Sequence, residues 1–199
     1  MKKSPAYWNE AKVYLSKKDK VIKNLINNYR DGHLISRNDI FFSLCKSIIG
    51  QQISVAAANS VFLRFKKKCK NKITAKIVNK LSSTNLKSCG LSRQKVRGIK
   101  DLSKKIINKM NDEEAIEYLS SLRQIGRWSA EMILLFTFNR SNIWPLQDIG
   151  LLRAVSNNYK KKYYPPKAFL GKLYKKFTPY CSVATWYLWR SIDDEPIQY

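Results

Sequence analysis

Along this chain the apolar side chains recur three and four residues apart, the spacing of one face of an α-helix, and they rarely alternate as a strand requires. Phe41, Phe42, Leu44, Cys45, Ile48 and Ile49 form one such face, behind the oxygen-bearing pair Asn38-Asp39 that suits a helix start. Ala56, Ala57, Val61, Phe62 and Phe65 form a second, which closes on the basic run Lys66-Lys67-Lys68. The same spacing predicts helices near 74–82, 92–110, 112–122, 129–139, 149–159, 166–177 and 181–191. Asn111, Asp112 and the pair Glu113-Glu114 stand where a helix start wants an oxygen cap and negative charge. No internal repeat, long linker or low-complexity tail interrupts the pattern. It predicts an all-α fold.

Composition agrees. The 199 residues are 44% hydrophobic with only 7 Gly and 6 Pro, enough for a buried core and too few turn residues for an all-β architecture. Charge adds a functional hint. A formal net charge of +24 favours polyanionic partners, nucleic acid first and an acidic membrane second. AT-rich coding would also enrich Lys, Asn and Ile, but it does not explain why 14 acidic residues face 38 basic ones. The start, Met1-Lys2-Lys3-Ser4-Pro5, has no apolar stretch of the kind a secretory signal carries. No run approaches the roughly 18 apolar residues of a membrane span. Cys45, Cys69, Cys89 and Cys181 are far apart and form no C-x-x-C pair, so they read as reduced thiols and give no support to a zinc site or an iron–sulfur cluster. These features point away from secretion, to the cytoplasm and nucleoid of a bacterium or the nucleus of a eukaryote.

The segment most suggestive of function is Leu122-Arg123-Gln124-Ile125-Gly126-Arg127-Trp128-Ser129. It predicts one helix ending near Leu122, a positive-φ turn at Gly126, and a new helix from about Ser129. Such a turn points backbone N–H groups outward, where they suit a phosphate oxygen, and Arg123 and Arg127 add charge. Alone, this reads first as a plain αα-hairpin with a glycine turn, since glycine between helices is common.

Three further segments change the weighing. Downstream stands Ile143-Trp144-Pro145-Leu146-Gln147-Asp148-Ile149-Gly150, upstream Ser47-Ile48-Ile49-Gly50-Gln51-Gln52-Ile53-Ser54, and near the end Pro179-Tyr180-Cys181-Ser182-Val183-Ala184-Thr185-Trp186-Tyr187-Leu188-Trp189-Arg190. Together and in this order, from about residue 38 to 191, they resemble the helix-hairpin-helix (HhH-GPD) DNA glycosylases, and within them the DNA-3-methyladenine glycosylase II branch. The resemblance implies a two-lobed helical fold with the hairpin beside an interlobe cleft. Residues 38–145 would form one lobe, with the hairpin at 112–139, and 1–37 plus 146–199 the other. It implies a monofunctional enzyme that flips and hydrolytically excises alkylated purines from double-stranded DNA. It would act as a monomer without a cofactor, although a structural monovalent cation at the hairpin is compatible with the family.

By position Asp148 is a helix N-cap before Ile149, Leu151, Leu152 and Val155. By resemblance it is also the catalytic carboxylate, stabilising the positive charge that develops on the sugar as the N-glycosidic bond breaks. The two roles are compatible. Trp128, Tyr180 and Met132 would line the base pocket, the aromatic faces suiting cationic alkylpurines, where core packing is the plainer reading. Trp128 stands where lyase-active relatives carry a lysine, so no imine chemistry is expected. Gln52 takes the position of the wedge that fills the gap left by a flipped nucleotide. Gly126, Arg127 and Arg123 would hold phosphate.

Trp186 and Trp189 read as core. The runs Lys66-Lys67-Lys68, Lys160-Lys161-Lys162 and Lys175-Lys176 read as solvated faces, and His33, beside Gly32, as incidental. One departure stands out, because Gln124 replaces the first of the two glycines usual in the family hairpin. The rival readings are another damaged-base specificity on the same scaffold, or a catalytically silent DNA-binding protein.

Overall fold

The computed structural model describes residues 4–35, 38–50, 52–103, 110–122 and 125–193, with backbone only at 38–40 and 103. Arg123 and Gln124, with the questions they raise about the hairpin, lie outside these residues. The described residues form helices and no strand: α1 (Trp8–Lys18), α2 (Lys20–Asn28), α3 (Asn38–Gly50), α4 (Val55–Lys68), α5 (Ala75–Lys80), α6 (Ser83–Lys87), α7 (Arg93–Ser103), α8 (Asp112–Ser120), α9 (Arg127–Phe136), α10 (Ile149–Asn158), α11 (Lys167–Phe177) and α12 (Cys181–Arg190). Every helix expected from the periodicity is present within a few residues. The segment 104–109 of the one expected at 92–110 lies outside the described residues. None is long and apolar enough to cross a membrane.

The helices divide into two units, Met1–Ser36 with Leu134–Tyr199, and Arg37–Ile133. The return to the first unit comes at Leu134, not at residue 146 as the sequence suggested. The reason is that α9 runs through the boundary with an uninterrupted apolar face, so no change of pattern marks it.

The first unit is built on α12. Every residue from Cys181 to Trp189 is buried, which requires helices on all sides, and α1, α2, α10 and α11 supply them. Trp8 of α1 stacks on Tyr187 with centroids 5.8 Å apart and meets Trp186 edge-on at 5.3 Å. Gly32 passes the Trp186 ring with φ +98°, and a Cβ there would lie 3.2 Å from the ring, so conformation and space both call for glycine. Asp19 ties three elements together. It caps α2 through the Ile22 N–H at 3.0 Å, and it accepts the Tyr159 hydroxyl at 3.0 Å and the Lys176 ammonium at 2.6 Å. Lys176 is therefore not part of a freely solvated run. Its partner is 157 positions away, where no local pattern could show it.

In the second unit α7 packs against α3, α5 and α6, and α3 against α4. Among the described residues side-chain oxygens cap five of its helices: Ser54, Thr74, Ser82, Ser92 and Asn111. Asn111 forms a full capping box with Glu114, each side chain bonded to the other's backbone N–H at 2.9 Å. All four cysteines are free and buried. Burial raises the Cys45 thiol well above its usual range and the Cys69 thiol to about 11, so neither is a ready nucleophile.

Candidate active site

Asp148 sits at the end of a loop that the first unit holds firmly. Ser182 of α12 anchors its start, the hydroxyl donating to the Arg140 carbonyl at 2.6 Å and accepting the Ile143 N–H at 2.9 Å. Ser182 also donates its own N–H to the Ser141 carbonyl at 2.9 Å. Trp144 then turns inward against Phe177, with ring centroids 5.8 Å apart. Pro145 opens a turn closed by the Asp148 N–H on its carbonyl at 2.9 Å, and the chain enters α10. The loop thus delivers one carboxylate to the head of a helix whose inner face, Leu151, Leu152, Ala154 and Val155, is fully buried.

That carboxylate is itself buried, at 6% exposure. Its Oδ1 accepts the Leu151 N–H at 2.6 Å, the N-cap bond expected from position, and also the Trp189 indole N–H at 2.8 Å. The second bond is new. Trp189 reads in the sequence as a core aromatic. It is one, 1% exposed and stacked on Phe136 at 9° between planes, but its polar edge is spent on Asp148. A signal was available, since the N–H of a buried tryptophan usually finds an acceptor.

Tyr180 belongs to the same unit, just before α12. It is half-buried between Tyr7, stacked at 6.3 Å, and Tyr14, edge-on at 5.4 Å. A hydrogen bond with the Glu10 carboxylate holds its phenol above the ordinary tyrosine range. Asp148 and Tyr180 thus belong to one unit, Tyr180 just before the start of α12 and Asp148 bonded to Trp189 near its end.

The other candidates lie in the second unit. Gly126 is exposed and does open α9, its carbonyl accepting the Ala130 N–H at 3.0 Å. The expected positive φ is absent: Gly126 is not in the left-handed region, and a Cβ there would meet nothing within 4 Å. It acts as the residue before the helix, where a small side chain keeps the backbone open. Ile125 donates its N–H to the Leu122 carbonyl at 3.1 Å, and α9 begins at Arg127, two residues earlier than expected.

Arg127 has partners that the sequence pattern did not suggest. Its guanidinium pairs with both oxygens of Glu113 and, through Nε, with Glu131 at 3.2 Å. The Glu113 hydrogen bond raises Arg127 above its ordinary range against the opposing effect of burial, and lowers Glu113. Two carboxylates already answer this one cation. Trp128, next in line, is exposed at 38%, whereas Met132, one turn on, is buried at 5%. Gln52 is exposed in the short connection between α3 and α4 with φ +56°, a left-handed conformation uncommon outside glycine and frequent at functional loops. Lys95 steadies the approach to it by donating to the Ile49 carbonyl at 2.8 Å. Among the described residues no group of three or more His, Cys, Asp or Glu could hold a metal ion.

Similarity to known proteins runs the length of this arrangement. The chain is 27% identical over 197 residues to DNA-3-methyladenine glycosylase 1 of Schizosaccharomyces pombe, covering 92% of this chain and 86% of that one. It is 31% identical over 160 residues to the alkylbase DNA glycosidase-like protein mag2 of the same yeast, covering 74% and 75%. The structure of the S. pombe 3-methyladenine DNA glycosylase in complex with abasic DNA superposes with a TM-score of 0.53 at 26% identity, over 92% of this chain and 96% of that one. The profile of the HhH-GPD superfamily base excision DNA repair proteins matches residues 45–177, from within α3 to the end of α11. With the hairpin, the proline loop and the capping aspartate all inside that span, this chain belongs to the HhH-GPD superfamily of base excision DNA repair proteins.

Proposed function

We propose that the chain is a monofunctional DNA glycosylase that removes alkylated purines, of the 3-methyladenine type, from duplex DNA and leaves an abasic strand. The observation that carries this reading is the buried Asp148 carboxylate, fixed by two N–H donors at the end of an anchored loop. As the N-glycosidic bond breaks, its electron pair leaves with the base and positive charge gathers on the sugar. A carboxylate held in place beforehand stabilises that charge without reorganising, and a water adds to the anomeric carbon. A purine alkylated at N3 or N7 is already cationic and is a good leaving group, so a single carboxylate suffices. The similarity to a 3-methyladenine glycosylase and an alkylbase glycosidase-like protein supports this substrate class.

The remaining residues take roles consistent with their settings. Trp128 and Tyr180 offer aromatic faces to an electron-poor base, and Met132 is the buried residue behind Trp128 on α9. Gln52, exposed on a left-handed backbone, enters the stack left by the flipped nucleotide. Phosphate is held by the open backbone at Gly126 and the first N–H groups of α9. Arg127 braces the hairpin more than it contributes net charge. The chain works as a monomer and without a cofactor.

The test is release of methylpurines from alkylated duplex DNA, with freed bases resolved chromatographically. Release of oxidised or deaminated bases instead would assign the scaffold to another lesion. Duplex binding with no release of any base would make it a silent DNA-binding protein.

A further inference from the structure

The second donor on Asp148 is more than a cap requires. An N-cap aspartate needs only the N–H of its own first turn, and Leu151 supplies it at 2.6 Å. With that bond alone the carboxylate can still swing about the bond to its Cβ. Trp189, 41 positions along the chain on α12, adds an N–H at 2.8 Å to the same oxygen. Two donors from two helices on one oxygen fix the carboxylate plane.

The donor is itself clamped. Phe136 lies parallel to the Trp189 ring at 9° and 6.0 Å, and the indole is 1% exposed, so the direction of its N–H is set by packing. The neighbour on the other side leaves room. A Cβ on Gly150 would come within 3.1 Å of Asp148 Oδ1 and 3.5 Å of Trp189 Cδ1 and Nε1. Gly150 is outside the left-handed region, so glycine stands here for space and not for conformation.

We infer that Trp189 is a positioning residue for base excision: its indole N–H, with Gly150 leaving the gap, holds the Asp148 carboxylate in the orientation the reaction uses. The inference rests on the proposed role of Asp148. Its physical basis is that a transition-state charge is stabilised most by a group already oriented toward it. Losing one N–H bond to a carboxylate corresponds to a rate loss of about 10- to 100-fold.

The test is single-turnover excision on a methylpurine duplex by the wild-type protein and the Trp189→Phe, Gly150→Ala and Asp148→Asn variants. Each is paired with a thermal melt and a binding curve on an abasic duplex. Phe at 189 keeps the stack on Phe136 and removes only the donor, whereas Ala at 150 pushes on the same bond from the other side. Both should slow excision about 10- to 100-fold while abasic-duplex affinity stays within about twofold. In ¹H–¹⁵N spectra, the indole resonance lost in Trp189→Phe should be the one that moves in Asp148→Asn. Trp189→Phe at the wild-type rate, with Asp148→Asn inactive, overturns the positioning role and leaves the glycosylase reading standing. Asp148→Asn at the wild-type rate overturns the reading beneath it. If Trp189→Phe fails to fold, Gly150→Ala decides alone: a folded variant with unimpaired excision refutes the inference.

Discussion

Arg127 and Glu113 join the two helices of the hairpin through a two-pronged ion pair, each terminal guanidinium nitrogen on its own carboxylate oxygen. The same arginine reaches Glu131, whose side chain is only 4% exposed, on the next turn of α9. A residue that adjoins the turn proposed to hold phosphate is thus engaged in bracing the hairpin.

This predicts an unusual phenotype for Arg127→Ala. The loss of a partner for a nearly buried carboxylate should cost about 1–2 kcal/mol, less than for a fully buried pair because Arg127 is itself half-exposed. The melting temperature should fall by a few degrees, and the salt dependence of DNA affinity should barely change. A drop of one full phosphate contact in the slope of log K against log salt, with an unchanged melt, would return Arg127 to the phosphate-binding role.

Asp19 predicts a stability signature in acid. Burial raises this carboxyl, but the bonds from Lys176, the Ile22 N–H and Tyr159 outweigh it and the net shift is downward. A carboxylate lowered in the folded state stabilises fully above its unfolded value of about 3.9 and loses that contribution as pH falls through the lower folded value. Asp19→Asn should therefore be less stable than the parent at pH 6. The gap should close progressively below about pH 4, as measured by urea unfolding at each pH. A gap that persists undiminished at pH 2 would mean the network acts by packing and not by charge.

What the sequence showed and what it hid divide along physical lines. Helices such as α10 and α12 were legible because their apolar spacing is local and sustained. Asp148 was legible twice, as a cap from the residues after it and as a catalytic candidate from the family resemblance that its loop helps to carry. The Asp19–Lys176 bond was not, because partners 157 residues apart leave no trace in either neighbourhood. Trp189 was placed in the core correctly, but a periodic pattern counts an indole as apolar area and is silent about its N–H. Gly126 misled in the opposite direction. Glycine between two helices suggests a left-handed turn, whereas here it serves as a small residue ahead of α9.

Binding to undamaged duplex should be steeply salt-sensitive, because each neutralised phosphate releases counterions. The net charge of +24 supplies the motive, and the affinity should fall by about 10²-fold or more between 50 and 200 mM salt. Fluorescence anisotropy of a labelled duplex over that range is sufficient. A flat response would mean the surplus charge is not directed at DNA.

Asp148→Asn should fold and bind DNA yet lose about 10²- to 10³-fold in excision rate. Asparagine retains an oxygen for the Leu151 and Trp189 N–H groups, so the cap survives while the negative charge is lost. Melting and abasic-duplex affinity should therefore match the parent. A single-turnover rate within a few fold of the parent would remove the carboxylate charge from the mechanism.

The last prediction concerns strand cleavage. A lyase of this superfamily needs an amine at the hairpin position that Trp128 occupies, because the strand is cut through an imine between enzyme and deoxyribose. An indole nitrogen has its lone pair in the ring and cannot form that bond. Lysines are abundant, but Trp128 follows Arg127 directly and Ser129 comes next, so none stands at the head of α9. Water should complete the reaction and leave an intact abasic strand. Borohydride reduction during turnover on an end-labelled lesion duplex tests this directly, with the yield of covalent adduct timed against base release. Surface lysines give slow background trapping on any abasic site, so the comparison is one of rates. An adduct that forms as fast as the base departs would overturn the monofunctional reading and place a reacting lysine within reach of the sugar.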